Sequence, residues 1–158
     1  MNLYLIRHSI SENSSFGKKD FERELTEEGK IIIKNSAEAW KIFIDKFDII
    51  FSSTFKRAVQ SAEIISSIMQ PVPNIIFENN LGSGSRTSDL IDILNLTDKE
   101  DVAVVGHQPD LSIHILNLCG NGRINFLIPP AAIAKIEFEN KIRYSAGKLS
   151  FLIPPILK

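Results

Sequence analysis

Apolar residues run unbroken from Leu3 to Ile6 and stop at two basic residues, Arg7 and His8. A short apolar run without alternation suits a strand covered on both faces, so Asn2 to Ile6 reads as a first strand. Ser9 to Glu24 is polar and lacks a period, which predicts a loop. Thr26 is a good N-cap, and Glu27 and Glu28 put negative charge on the positive end of the helix that follows. Ile32, Asn35-Ser36, Ala39-Trp40 and Phe43 do not alternate by two, which predicts a helix to about Lys46 with that stripe inward. Asp48 to Phe51 is a second apolar run, stopped by Ser52 and Ser53. Phe55, Ala58, Val59, Ala62, Ile65 and Met69 then recur at spacings of three and four, an amphipathic helix that Pro71 and Pro73 end. Asn74 to Phe77 predicts a third strand, Leu81 to Ser88 a Gly- and Ser-rich loop, and Asp89 to Leu96 a short helix. Val102 to Val105 is the fourth strand, closed by Gly106-His107-Gln108-Pro109, with a helix from about Asp110 to Leu118. Ile133 to Phe138 and Lys148 to Ile153 read as two more strands, the last ended by Pro154-Pro155.

Strands alternating with helices of this length imply parallel βαβ units and a three-layer α/β domain with helices on both faces. Composition agrees with that class. The chain has 158 residues, 44% apolar and 23% charged, which excludes disorder, collagen and coiled coil. One domain over residues 1–158 is expected, large enough to hide roughly 70% of its unfolded surface. Lys and Arg total 18 against 19 Asp and Glu, a net charge of −1, which argues against nucleic acid or anionic lipid as a partner. The one cysteine, Cys119, allows no internal disulfide and no Cys-rich zinc site. The start, Met1 to His8, shows no basic leader, and no stretch approaches the ~18 apolar residues that span a bilayer. A soluble, cytoplasmic protein is expected.

Ligands of open α/β sheets bind at the carboxyl ends of the strands, near the point where strand order reverses. The first strand ends in Arg7-His8, the second leads through Ser53 into Arg57, and the fourth ends in His107. Two imidazoles and at least one guanidinium would meet on one rim beside helix N-termini, and phosphate is the natural guest of such a cluster. Each residue also has a structural reading, as a satisfied strand-end histidine or a solvated arginine. For His114, set among Ile113, Ile115 and Leu116, the structural reading wins. Distance argues against a metal shared by His107 and His114, since seven helical residues span roughly 10 Å. Gly82-Ser83-Gly84 lacks the Lys of a P-loop.

At this point the chain resembles the histidine phosphatase superfamily. Leu5-Ile6-Arg7-His8 looks like its first-strand signature, usually Arg-His-Gly. Leu25-Thr26-Glu27-Glu28-Gly29 is similar to its Leu-Thr-x-x-Gly helix start. Ser53 to Ala62 is similar to its Ser-Pro-x-x-Arg-Ala-x-Gln-Thr-Ala segment, and Val104 to Pro109 to its second-histidine turn. Pro130 to Ala134, and then Gly147 to Phe151, resemble the SixA-type phosphohistidine phosphatases in particular. The resemblance implies a phosphoglycerate mutase-like fold with a mixed, mostly parallel six-stranded sheet and one antiparallel strand, and neither metal nor organic cofactor.

The resemblance also implies that His8 attacks phosphorus and is transiently phosphorylated, while Arg7, Arg57 and His107 bind the phosphoryl oxygens. Ser9 replaces the family's Gly, Thr54 its Pro and Ser61 its Thr. Many members carry a general acid after the third strand, where this chain reads Asn79-Asn80-Leu81-Gly82-Ser83; Ser83 falls about there, among the substrate-binding candidates, with Glu78 near in sequence. SixA-type members also lack this acid. The core elements consume nearly all the chain and leave no room for the helical lid of larger members. A phosphohistidine on a partner protein, such as a histidine phosphotransfer domain, is therefore the expected substrate, with inorganic phosphate as product. The alternatives are a small-molecule phosphomonoester phosphatase and a non-catalytic phosphate-binding module.

Overall fold

The computed structural model describes residues 1–14, 17–120 and 126–157; residues 15 and 16, within the loop expected after the first strand, lie outside the described residues. Six strands, β1 (Asn2–Arg7), β2 (Ile49–Ser53), β3 (Asn74–Glu78), β4 (Asp101–Gly106), β5 (Ile133–Glu137) and β6 (Lys148–Ile153), form one sheet in the order β3-β2-β4-β1-β5-β6. The pairs β1–β4, β2–β4 and β2–β3 are parallel, whereas β5 runs antiparallel to both β1 and β6. This is the mixed α/β fold that the resemblance implied.

Among the described residues, helices α1 (Glu27–Trp40), α2 (Lys56–Ile68), α3 (Thr87–Asn95) and α4 (Asp110–Cys119) cover the sheet. Strand alternation decides the layers. Leu3, Leu5, Phe51, Val102 and Val104 pack with Leu90 and Leu94 of α3 and Leu111 and Ile115 of α4. Tyr4, Ile6, Ile50, Ala103 and Val105 pack with Ile33 and Trp40 of α1 and Ala58, Ala62 and Ile65 of α2. Helix α1 leaves β1 on one face and α4 leaves neighbouring β4 on the other, so a crevice opens between the carboxyl ends of these strands. Among the described residues, no helix is long and apolar enough to cross a membrane.

Helix α1 ends earlier than expected. At Ile42 and Phe43 the N–H groups bond three residues back, to Ala39 and Trp40, which tightens the turn and stops the helix. Ile44 and Phe47 are nevertheless buried by the irregular turn that follows, so the apolar spacing outlasts the helix. The inward stripe is also rotated: Gly29, Ile32, Ile33, Ser36, Ala37 and Trp40 are buried, whereas Phe43 is exposed and meets the edge of Phe151. Helix α3 begins at Thr87, two residues before the expected start, because the Thr87 hydroxyl is tied to His114 and Asp89 pairs with Arg86.

The Leu25-to-Gly29 segment is built for close approach. Thr26 accepts from the Gly29 N–H at 3.0 Å and caps α1, while its own N–H donates to the Ile10 carbonyl. A β-carbon on Gly29 would lie 2.1 Å from that Ile10 oxygen. Gly29→Ala is accordingly expected to cost about 1–3 kcal/mol in urea unfolding, as overpacking does. A variant as stable as wild type would contradict the close approach.

Candidate active site

The ends of β1, β2 and β4 bring four of the five expected residues together. His8 follows β1, and its N–H donates to the Gly106 carbonyl at the end of β4. Ala131, buried in a left-handed conformation (φ 61°), donates its N–H to the Arg7 carbonyl and so fixes the other side of this turn. His107 follows β4, and Arg57 lies in the first turn of α2. The His8 and His107 ring centroids are 5.1 Å apart.

Hydrogen bonds define the tautomer of His8. Nδ1 lies 2.7 Å from the Ser9 carbonyl, which can only accept, so Nδ1 carries the hydrogen. Arg57 Nε, which can only donate, lies 3.1 Å from Nε2, so Nε2 carries the lone pair. Burial pushes the imidazole down to about 3, helped by His107, Arg57 and Arg7 and opposed by the Ser9 carbonyl. A neutral ring with a free pair on Nε2 is what a nucleophile requires. Burial likewise lowers His107 to about 4, with Arg57 and Arg7 lowering it further and Asp20 opposing. His107 Nε2 lies 2.8 Å from the Ser53 hydroxyl, and its Nδ1 is buried without a hydrogen-bond partner.

Arg7 donates from one terminal nitrogen to the Ile128 carbonyl at 2.6 Å, while its Nε is buried and unpaired. Arg57 is buried, its Nε on His8, its two terminal nitrogens on the Asp20 carbonyl (2.6 Å) and carboxylate (3.0 Å). Ser61, one turn along α2, accepts from the Ser9 N–H and donates to the Arg57 carbonyl, which joins the segments that carry His8 and Arg57. Gln60 holds the Leu25 N–H, so this stretch of α2 also anchors the start of α1.

Ser83 lies on the loop after β3, directly after Gly82. It is exposed and makes no hydrogen bond to Arg7, His8, Arg57 or His107. A short 3₁₀ turn over Asn79–Leu81 redirects the chain after β3, and Gly84 (φ 89°) donates its N–H to Asp110. The loop adjoins the site at Gly82, close to Phe55, the ring beside His107. Glu78 ends β3 opposite Ser53 and lines a groove with Phe51, Ile76 and Ile93, with no hydrogen bond or ion pair to either site histidine. The residue that sequence reasoning missed is Asp20. Only its setting in a polar loop before Leu25 was visible, and nothing there marks it as the partner of Arg57. Among the described residues, no group of three or more His, Cys, Asp or Glu is arranged to hold a metal.

His114 lies elsewhere, buried between the hydroxyls of Ser85 (3.0 Å) and Thr87 (2.9 Å), and burial lowers it to about 4. The unfolded chain binds a proton here below about pH 6.5 and the folded chain does not, so this stability is lost as pH falls toward 4. Between pH 7 and pH 5 the loss from this ring is on the order of 2 kcal/mol. Urea unfolding at the two pH values should show a smaller drop in His114→Asn than in wild type; equal drops would contradict a neutral buried ring.

Residues 3–82 match the profile of the histidine phosphatase superfamily (branch 1). The protein histidine phosphatase SixA, solved with tungstate, superposes with a TM-score of 0.85 at 20% identity, covering 98% of this chain and 97% of that one. An Agrobacterium tumefaciens protein assigned as phosphohistidine phosphatase SixA gives 0.82 at 20% identity, covering 98% and 97%. An Escherichia coli K-12 protein assigned as an alpha-ribazole-5'-P phosphatase gives 0.76 at 19% identity, covering 97% and 96%. These structural likenesses are likenesses of fold. No curated protein matches the chain.

Proposed function

The chain belongs to the histidine phosphatase superfamily and is a phosphatase, and from that premise we propose that its substrate is a phosphohistidine side chain on a partner protein. The observation that carries this reading is that, among the described residues, no carboxylate is set against the site histidines to donate a proton. The carboxylate at hand, Asp20, is held ionised. Burial works to raise its pKa, but hydrogen bonds from Arg23 and Arg57 bring it below the usual carboxylate range.

In the proposed mechanism the lone pair on His8 Nε2 attacks phosphorus in line, and the N–P bond of the substrate breaks. A phosphoimidazole whose other ring nitrogen is protonated leaves as neutral imidazole and needs no proton from the enzyme. The new N–P bond makes the His8 ring cationic, and the Ser9 carbonyl on Nδ1–H stabilises that charge. Arg7, Arg57 and His107 hold the equatorial oxygens; the buried, unpaired Arg7 Nε is a donor that an anion would satisfy. Water then attacks phosphorus, the bonding pair returns to Nε2, and the water proton leaves on phosphate. An alkyl ester fits this site badly, because its alkoxide must be protonated as it leaves. The cytoplasm, where such phosphoproteins are made, is the proposed location.

The test is the ratio of kcat/KM for a phosphohistidine protein to that for phosphoserine. General acid help is worth about 10²–10⁴, so a site without it should favour phosphohistidine by at least ~10². Comparable turnover of the two would instead favour a small-molecule phosphomonoesterase, the activity given for the Escherichia coli protein of similar fold.

A further inference from the structure

Arg57 has five N–H groups, and three are already engaged: Nε–H on His8 Nε2 and one from each terminal nitrogen on Asp20. The guanidinium is buried, lies 5.1 Å over the Phe55 ring and can turn only if Asp20 lets go. Asp20 is itself secured. Its other carboxylate oxygen accepts from Arg23 at 2.8 Å, and Arg23 also donates to the Glu12 carbonyl (2.6 Å) and the Ser11 hydroxyl (3.0 Å). The loop that leaves His8 thus folds back through Ser11, Glu12 and Arg23 to deliver Asp20 onto the arginine that faces His8. Phe21, next in the same turn, approaches Phe55, whose ring adjoins His107.

We propose that Asp20 is a positioning residue for phosphoryl transfer: its carbonyl and carboxylate together fix the Arg57 fork, keeping Nε–H at His8 and two further N–H groups for phosphoryl oxygens. As Nε2 attacks, the Arg57 Nε–H passes from the vanishing lone pair to an oxygen of the arriving phosphoryl group while the fork stays in place. A fixed donor of this kind stabilises the transition state without reorganising. Asp20 touches neither phosphorus nor leaving group; it acts by holding Arg57, beside a smaller electrostatic effect on the His107 ring. This inference rests on the phosphatase reading but not on phosphohistidine as the substrate.

The experiment measures kcat and KM for Asp20→Asn, Asp20→Ala, Arg57→Lys and the double variant Asp20→Asn/Arg57→Lys. Each is assayed on a phosphohistidine protein and on p-nitrophenyl phosphate. The Asp20 side chain is half exposed on a surface turn, so the folded protein should persist, which urea unfolding checks. Asp20→Ala should lower kcat about tenfold, the worth of a charged hydrogen bond, with Asp20→Asn between. KM should not rise, because removing a negative charge favours phosphate binding. In the Arg57→Lys background, Asp20→Asn should cost less than about twofold, since coupled residues are not additive. Independently of turnover, ¹⁵N NMR should show Arg57 Nε–H exchanging with water about tenfold faster in Asp20→Ala than in wild type. An unchanged or raised kcat, an equal loss in both Arg57 backgrounds, or unchanged Nε–H exchange would each overturn the proposal. A wild type that prefers p-nitrophenyl phosphate would overturn the phosphohistidine reading alone, and the Asp20–Arg57 coupling would then be read on that substrate.

Discussion

His8→Ala is expected to lose essentially all turnover, by about 10⁴-fold or more, as when a covalent nucleophile is removed. Three features of the wild-type ring disappear together: the lone pair on Nε2, the Nδ1–H that the Ser9 carbonyl holds, and the acceptor for Arg57 Nε. No neighbour can take over. His107 is turned onto Ser53, and its ring centroid lies 5.1 Å from that of His8. The fold should survive, because His8 sits at the crevice between strand ends rather than within either apolar layer. Steady-state kinetics with urea unfolding on the same preparation checks both halves. Substantial activity in a well-folded His8→Ala protein would remove His8 from its assigned role.

Arg57→Lys should follow, with a loss of about 10²–10³ in kcat, the range for one preorganised donor at developing charge. Lysine keeps the positive charge but lacks the planar fork, so it cannot reach His8 Nε2 and both acceptors of Asp20 at once. The loss should fall on kcat more than on KM, because the charge that attracts phosphate remains. A Lys variant as active as wild type would mean that charge alone, not the fork, matters at this position.

Much of this was legible in the sequence for identifiable reasons. Arg7, His8 and His107 stand where apolar runs stop, and a strand end in an α/β sheet is where the chain meets ligand. Arg57 follows the second run by a few residues and opens a helix of clear period. What escaped the sequence has equally physical causes. Asp20 acts partly through its main-chain carbonyl, from a single 3₁₀ turn in a polar loop, and neither leaves a periodic trace. Ser83 sits between the turn at Asn79–Leu81 and the left-handed Gly84, a course of the chain that counting past β3 does not show. The end of α1 was overrun because Ile44 and Phe47 keep the apolar spacing after the hydrogen bonding has changed.

The most direct test is a rapid-quench experiment with a ³²P-phosphohistidine protein and wild-type enzyme in excess. Label should appear on the peptide containing His8 before inorganic phosphate does, and it should be lost in acid and kept in alkali, as an N–P bond requires. Release of labelled phosphate without labelled enzyme, or label on any other residue, would contradict the account.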